Sequence, residues 1–205
     1  MTYGEWVAAL RAKVRRHGEL CIGVDGAGAS GKSTIARQLA LAAPDFQVIA
    51  LDDFYRPSRE RYPGPVAQRP IAADYDLERL RREVLEPLAS GRSAAYRRYD
   101  WRTDAVGTER VAVEKPSVVL EGIYSSSATL APFLDLAIWV ECPRELRLTR
   151  GLARDGEPMR ARWELDWMPG EELYLQNERP RERAAFVCDG GRDDLGARIA
   201  LIQQK

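Results

Sequence analysis

Apolar residues along this chain gather into short runs set among polar stretches with helical spacing. Runs at 20–24, 46–51, 117–120, 136–140 and 184–188 read as buried strands. Between them, 33–42, 77–89, 144–154 and 159–177 repeat their apolar positions with the period of a helix. Strands alternating with helices predict an α/β fold, a parallel sheet covered on both faces. Two stretches break the rhythm. Residues 56–70 are rich in Pro and Arg and read as a loop over the sheet's C-terminal edge, while 93–113 alternates without helical spacing and reads as a hairpin excursion. An open α/β sheet gathers its ligands outside the carboxyl ends of its strands, where both regions can lie. The opening stretch, 4–17, reads as an amphipathic helix rather than a signal peptide.

Composition narrows the function classes. A length of 205 residues suits one domain, and 45% hydrophobic residues suffice for a full core. The 31 basic and 31 acidic side chains cancel, which argues against nucleic acid as a partner. No apolar run approaches the roughly 20 residues that span a bilayer, so no membrane is expected. Cys21, Cys142 and Cys188 show neither metal-ligand nor redox spacing. They read as structural thiols in a reducing, cytoplasmic compartment.

The chemistry begins at "GAGASGKST", which comprises Gly26, Ala27, Gly28, Ala29, Ser30, Gly31, Lys32, Ser33 and Thr34. It fits G-x-x-x-x-G-K-[ST] and lies between an expected strand and an expected helix, the context this phosphate loop requires. Its backbone amides can turn inward around phosphate oxygens, and the helix N-terminus favours negative charge there. Lys32 is placed to reach the β- and γ-phosphates of a nucleoside triphosphate such as ATP, and the Ser33 hydroxyl to bind Mg²⁺. A second strand, in "VVLEGIY", ends in Glu121, a candidate for the metal or its water shell. In "LDDFYRP", Asp52 and Asp53 follow another strand. One of them can orient a hydroxyl acceptor and take its proton while the other caps a turn or joins the metal shell. A purely structural role for both stays open.

With "YDWR" at 99–102, these segments occur in the order and spacing of the uridine kinase family, which the chain resembles. That family belongs to a wider group of P-loop kinases with the phosphoribulokinases, pantothenate kinases and nicotinamide riboside kinases. The resemblance implies a P-loop NTPase fold, a three-layer α/β/α domain over 1–205 with a five-stranded parallel sheet and a helical lid near 150–170. It implies ATP as phosphoryl donor, Mg²⁺ held by Ser33 and Glu121, and Asp52 as the base. Lys32, with Arg150 and Arg154 on one face of the lid helix, would meet the phosphates. Acceptor binding would fall to excursions near 55–76 and 93–113, through Asp53, Tyr55, Asp76, Tyr99 and Trp101; "DYDLERL" supplies Asp74 as well as Asp76, and Asp76 is the better match to the family's ribose-holding Asp. Trp163 and Trp167 lie four apart and read as packing residues. Relatives in the group often form homo-oligomers.

Several positions depart from the family pattern. Thr103 and Asp104 stand where the family carries a base-reading histidine, and the only histidine, His17, lies far away in the N-terminal helix. Asp25 replaces a small residue before the first loop glycine. Losing one hydrogen-bonding reader can change the substrate. The reading is thus a kinase for a small hydroxyl acceptor, with a nucleoside such as uridine or cytidine first. Pantothenate, nicotinamide riboside and a P-loop ATPase or GTPase switch are alternatives, although no N/T-K-x-D guanine-reading segment is present.

Overall fold

The structure, a computed structural model, describes residues 1–13 and 19–204. The end of the expected helix 4–17, with His17, lies outside the described residues; its first part forms the helix Tyr3–Lys13. Eight strands follow in chain order: β1 (Cys21–Asp25), β2 (Phe46–Ala50), β3 (Ala94–Asp100), β4 (Ala105–Val113), β5 (Ser117–Glu121), β6 (Leu136–Glu141), β7 (Phe186–Asp189) and β8 (Leu201–Gln204). The central sheet runs β2-β5-β1-β6-β7-β8. Its first five strands are parallel, as expected. The expected five-stranded sheet needs one correction: β8 adds a sixth strand, antiparallel on β7. Its alternation of half-buried and exposed positions is that of an edge, too short and polar to read as a strand from hydropathy.

Side chains alternate across the sheet, which places helices on both faces. On one face, Trp6 and Leu10 of Tyr3–Lys13 and Ile35 and Leu39 of Lys32–Ala42 cover Ile22, Val24, Val119 and Ile138. On the other, Leu80, Val84 and Tyr174 cover Ile49, Val118, Leu120 and Trp139. Each fully buried side chain of this kind stabilises the fold by about 1.5–3 kcal/mol.

β3 and β4 form the expected hairpin as a separate two-stranded ribbon. It docks through Tyr96, fully buried and stacked on Phe54 with ring centroids 5.1 Å apart. The helix 77–89 begins at Asp76, which accepts the Arg79 backbone N–H at 3.0 Å, and passes through a wide π-type turn at Arg81–Leu85. A second helical arm spans the helix Arg144–Asp155, a π-type turn at Trp163–Trp167, and the helix Met168–Glu178. It crosses the carboxyl end of the sheet. No helix of the described residues is long and apolar enough to cross a membrane.

Candidate active site

The phosphate loop joins β1 to the helix Lys32–Ala42. Gly31 caps that helix with a left-handed φ of 100°, which glycine adopts without the clash a Cβ would bring. The Lys32 ammonium donates to the Ala27 carbonyl at 2.9 Å. Beneath the loop lies Asp25, fully buried. Its carboxylate accepts from the backbone N–H groups of Gly26, Tyr124 and Ser126 and from the hydroxyls of Ser126 and Tyr174, at 2.6 to 3.2 Å. The unusual residue noted in the sequence therefore ties the phosphate loop to the segment after β5 and to the helix Met168–Glu178.

Glu121, at the end of β5, accepts from the Ser33 hydroxyl at 3.2 Å. Burial pushes its carboxyl above the usual range, with the Lys32 charge opposing. Asp52 lies across the same cavity and accepts from the Tyr75 hydroxyl at 3.3 Å. Burial and the Asp52 charge hold the Tyr75 phenol well above its usual pKa, so it stays a donor. Asp53 turns away: it accepts from the Tyr96 hydroxyl at 3.0 Å and pairs with Arg98 at 3.2 Å.

Lys32, Ser33, Asp52, Tyr75 and Glu121 line one cavity of about 590 Å³, with walls drawn from the phosphate loop, the loop 52–75, the segment after β5 and the helical arm. Tyr55 and Trp101 meet at its mouth, ring centroids 4.7 Å apart, and Trp101 is half exposed. Tyr99 stands behind them without lining the cavity. Its hydroxyl donates to Asp104 at 2.6 Å and accepts from Arg61 at 2.7 Å, and the Arg61 guanidinium covers the Tyr55 ring at 4.4 Å. Asp76 is also outside, occupied as a helix cap and by Arg79. Asp74 lines the cavity instead, paired with Arg69 at 3.3 Å.

The arm arginines divide. Arg154 lines the cavity and pairs with Asp155 at 2.7 Å. Arg150 does not; it donates to the carbonyls of Gly190 at 2.6 Å and Gly191 at 3.3 Å, which fastens the arm to the loop after β7. Trp163 and Trp167 pack edge to face at 5.2 Å, as the packing reading expects, and both also border the cavity. Trp163 donates its indole N–H to Asp155 at 3.1 Å.

Sequence reasoning missed Arg69, Tyr75, Tyr124 and Glu171 as cavity residues, and of the two candidates Asp74 and Asp76 it preferred Asp76. Arg69 bridges the 56–70 loop to the arm through Asp166. A signal for Asp74 was available: an Asp followed by a helical stretch, as Asp76 is, favours the cap and leaves its neighbour for other work.

Ser33 and Glu121 with nearby Asp52 present hard oxygen donors, which fit Mg²⁺. The described residues hold no cluster of three or more His, Cys, Asp or Glu able to cage an ion alone. Mg²⁺ commonly takes only one or two carboxylates from the protein, with phosphate oxygens and water completing its shell.

Comparison with known proteins matches residues 21–162 to the family model described as Phosphoribulokinase / Uridine kinase family. A uridine kinase of Halobacterium salinarum is 34% identical over 142 residues, covering 65% of this chain and 61% of that protein. A nicotinamide riboside kinase of Eremothecium gossypii is 28% identical over 160 residues, covering 68% of this chain and 65% of that one. The chain thus spans less than two thirds of the length of these two relatives. Among solved structures, a possible uridine kinase from Bacillus stearothermophilus superposes with a TM-score of 0.71 at 21% identity, covering 90% of this chain and 96% of that one. That likeness concerns the fold, while the family match takes in the phosphate loop, the paired aspartates, Glu121 and the first part of the arm. The chain belongs to the phosphoribulokinase / uridine kinase family.

Proposed function

We propose that this protein transfers the γ-phosphoryl group of Mg·ATP to a hydroxyl of a small molecule, with a nucleoside such as uridine or cytidine first among acceptors. One observation carries the reading. A single cavity is lined by Lys32 and Ser33, by the carboxylates Asp52 and Glu121, and by the aromatic rings of Tyr55, Tyr75 and Trp101. That conjunction supports a reading in which donor, metal, base and acceptor roles share one site.

The loop amides and Lys32 hold the donor phosphates, Lys32 turning from the Ala27 carbonyl to do so. Ser33 and Glu121 would hold Mg²⁺, which when bound would neutralise charge on the phosphate oxygens. Asp52 accepts the proton of the attacking hydroxyl, and the Tyr75 hydroxyl fixes its carboxylate. Arg154 offsets charge on the transferring group, while Trp163 and Trp167 keep water from it. The ring faces of Tyr55 and Trp101 suit a planar base, and Asp74 suits the acceptor's hydroxyls. Three unpaired cysteines fit a reducing, cytoplasmic setting.

Thr103 and Asp104 in place of a base-reading histidine, together with the nicotinamide riboside kinase relative, favour a second reading: another ribosyl metabolite as acceptor. ADP release from Mg·ATP, scanned across uridine, cytidine, other nucleosides, pantothenate and nicotinamide riboside, separates them. Stimulation by a pyrimidine nucleoside supports the first reading. Stimulation only by another compound keeps the transfer chemistry and changes the acceptor. A rate that no acceptor raises counts against the proposal.

A further inference from the structure

Arg147 and Glu171 form an ion pair that the transfer chemistry above does not use. The Glu171 carboxylate accepts from the Arg147 guanidinium at 2.8 Å through one oxygen. Through the other it accepts from the backbone N–H of Gly28 in the phosphate loop, also at 2.8 Å. Both side chains are buried, with 8% of each exposed. Glu171 comes from the helix Met168–Glu178 and Arg147 from Arg144–Asp155, so the arm inserts an anion into the loop built to hold anions. Lys32 acts on the same carboxylate as a favourable charge, although burial dominates and raises its pKa.

We infer that Glu171 occupies the place of the donor's terminal phosphoryl group, and that binding of a nucleoside triphosphate transfers the Gly28 N–H and the Arg147 guanidinium from Glu171 to phosphate oxygens. This rests on the kinase reading. The physical argument is one of substitution. A carboxylate and a phosphate oxygen take the same backbone donor and the same guanidinium, and two anions cannot share them without strong repulsion. Buried Arg147 cannot be left without an anion, so the exchange gives it a new partner as the old one leaves. A diphosphate lacks the terminal group and leaves Glu171 seated. The device therefore makes displacement of the arm depend on the phosphoryl group that is to be transferred, and Arg147 becomes a phosphate contact held in reserve.

A strut that merely fastens the arm to the loop predicts something different, and calorimetric titration of the full chain with ATP and with ADP separates the two. Glu171→Gln keeps the acceptor for the Gly28 N–H and removes the charge. It should bind ATP about tenfold more tightly than wild type, with ADP changed by less than about twofold. Arg147→Gln should weaken ATP by about tenfold and again spare ADP. Opposite signs on ATP support the exchange. A strut weakens both nucleotides in both variants, and equal or weaker ATP binding by Glu171→Gln overturns the inference. If that variant does not fold, Glu171→Asp withdraws the carboxylate from Gly28 and should also tighten ATP; unchanged or weaker binding there overturns the inference as well. Failure of wild type to bind ATP overturns the kinase reading and this inference together, whereas ATP binding that Glu171→Gln does not improve overturns this inference alone.

Discussion

Asp52 and Asp53 are adjacent in the chain and face different surroundings. Asp52 lines the cavity and accepts from Tyr75, while Asp53 reaches the β3–β4 hairpin through Tyr96 and Arg98. A short 3₁₀ turn, Leu51–Phe54, separates their directions by carrying the chain off the end of β2. Phe54 on the same turn is fully buried and anchors it.

The pair should therefore divide on substitution. Asp52→Asn is expected to lower turnover by about a hundred- to ten-thousandfold with ATP affinity nearly unchanged. Asp53→Asn is expected to act through the hairpin, raising the acceptor KM more than it lowers kcat. Steady-state kinetics of both variants check this, and full activity of Asp52→Asn removes it from the base role.

Arg150 and Arg154 should also separate. Arg150 bonds two backbone carbonyls, so Arg150→Ala should cost about 1.5–3 kcal/mol of stability by denaturant unfolding. Arg154 faces the cavity, so Arg154→Ala should lower turnover by about tenfold or more with little change in unfolding. The reverse pattern would mean that Arg150 is the residue that moves to the phosphates.

Gly151 lies where the arm doubles back on itself. A Cβ there would come within 2.5 Å of the Trp163 ring. Gly151→Ala should destabilise the chain by about 1–3 kcal/mol through overpacking. It should also weaken ATP binding, because Trp163 borders the phosphate loop. Thermal unfolding with and without ATP reads both effects.

Asp25→Asn sets an amide N–H₂ among five groups that donate to the carboxylate, and should cost about 1–3 kcal/mol. Burial raises the folded pKa of Asp25 above its unfolded value despite those bonds. Its contribution to stability is therefore complete below the unfolded pKa, about 3.9, and declines as pH rises through the folded one. Asparagine does not titrate, so the gap between wild type and Asp25→Asn should narrow as pH rises through that window. Denaturant unfolding at stepped pH measures the gap, and a gap that widens contradicts the assignment.

Much of this was legible in the sequence because the signals were local. The five parallel strands follow from continuous apolar runs, and the phosphate loop from glycine spacing between a strand and a helix. The hairpin follows from the alternation over 93–113. What stayed hidden depends on direction rather than on type. Asp74 and Asp76 are two apart on the same segment, and only the start of the helix decides that Asp76 caps while Asp74 faces the cavity. Arg147, Arg150 and Arg154 share one helix, but a small rotation decides which meets Glu171, which meets Gly190 and which meets the cavity. Glu171 gave no signal at all, since a glutamate next to Glu172 in an arm helix reads as a solvated residue until the arm folds onto the loop.

Following the γ-phosphoryl label of ATP separates transfer to a hydroxyl acceptor from hydrolysis. With Mg²⁺ and the right acceptor, the label should appear in a phosphate monoester of that acceptor, in step with ADP, and Asp52→Asn should abolish it. Label recovered only as inorganic phosphate, at a rate that no acceptor changes, would contradict the account and make the protein a nucleotide hydrolase.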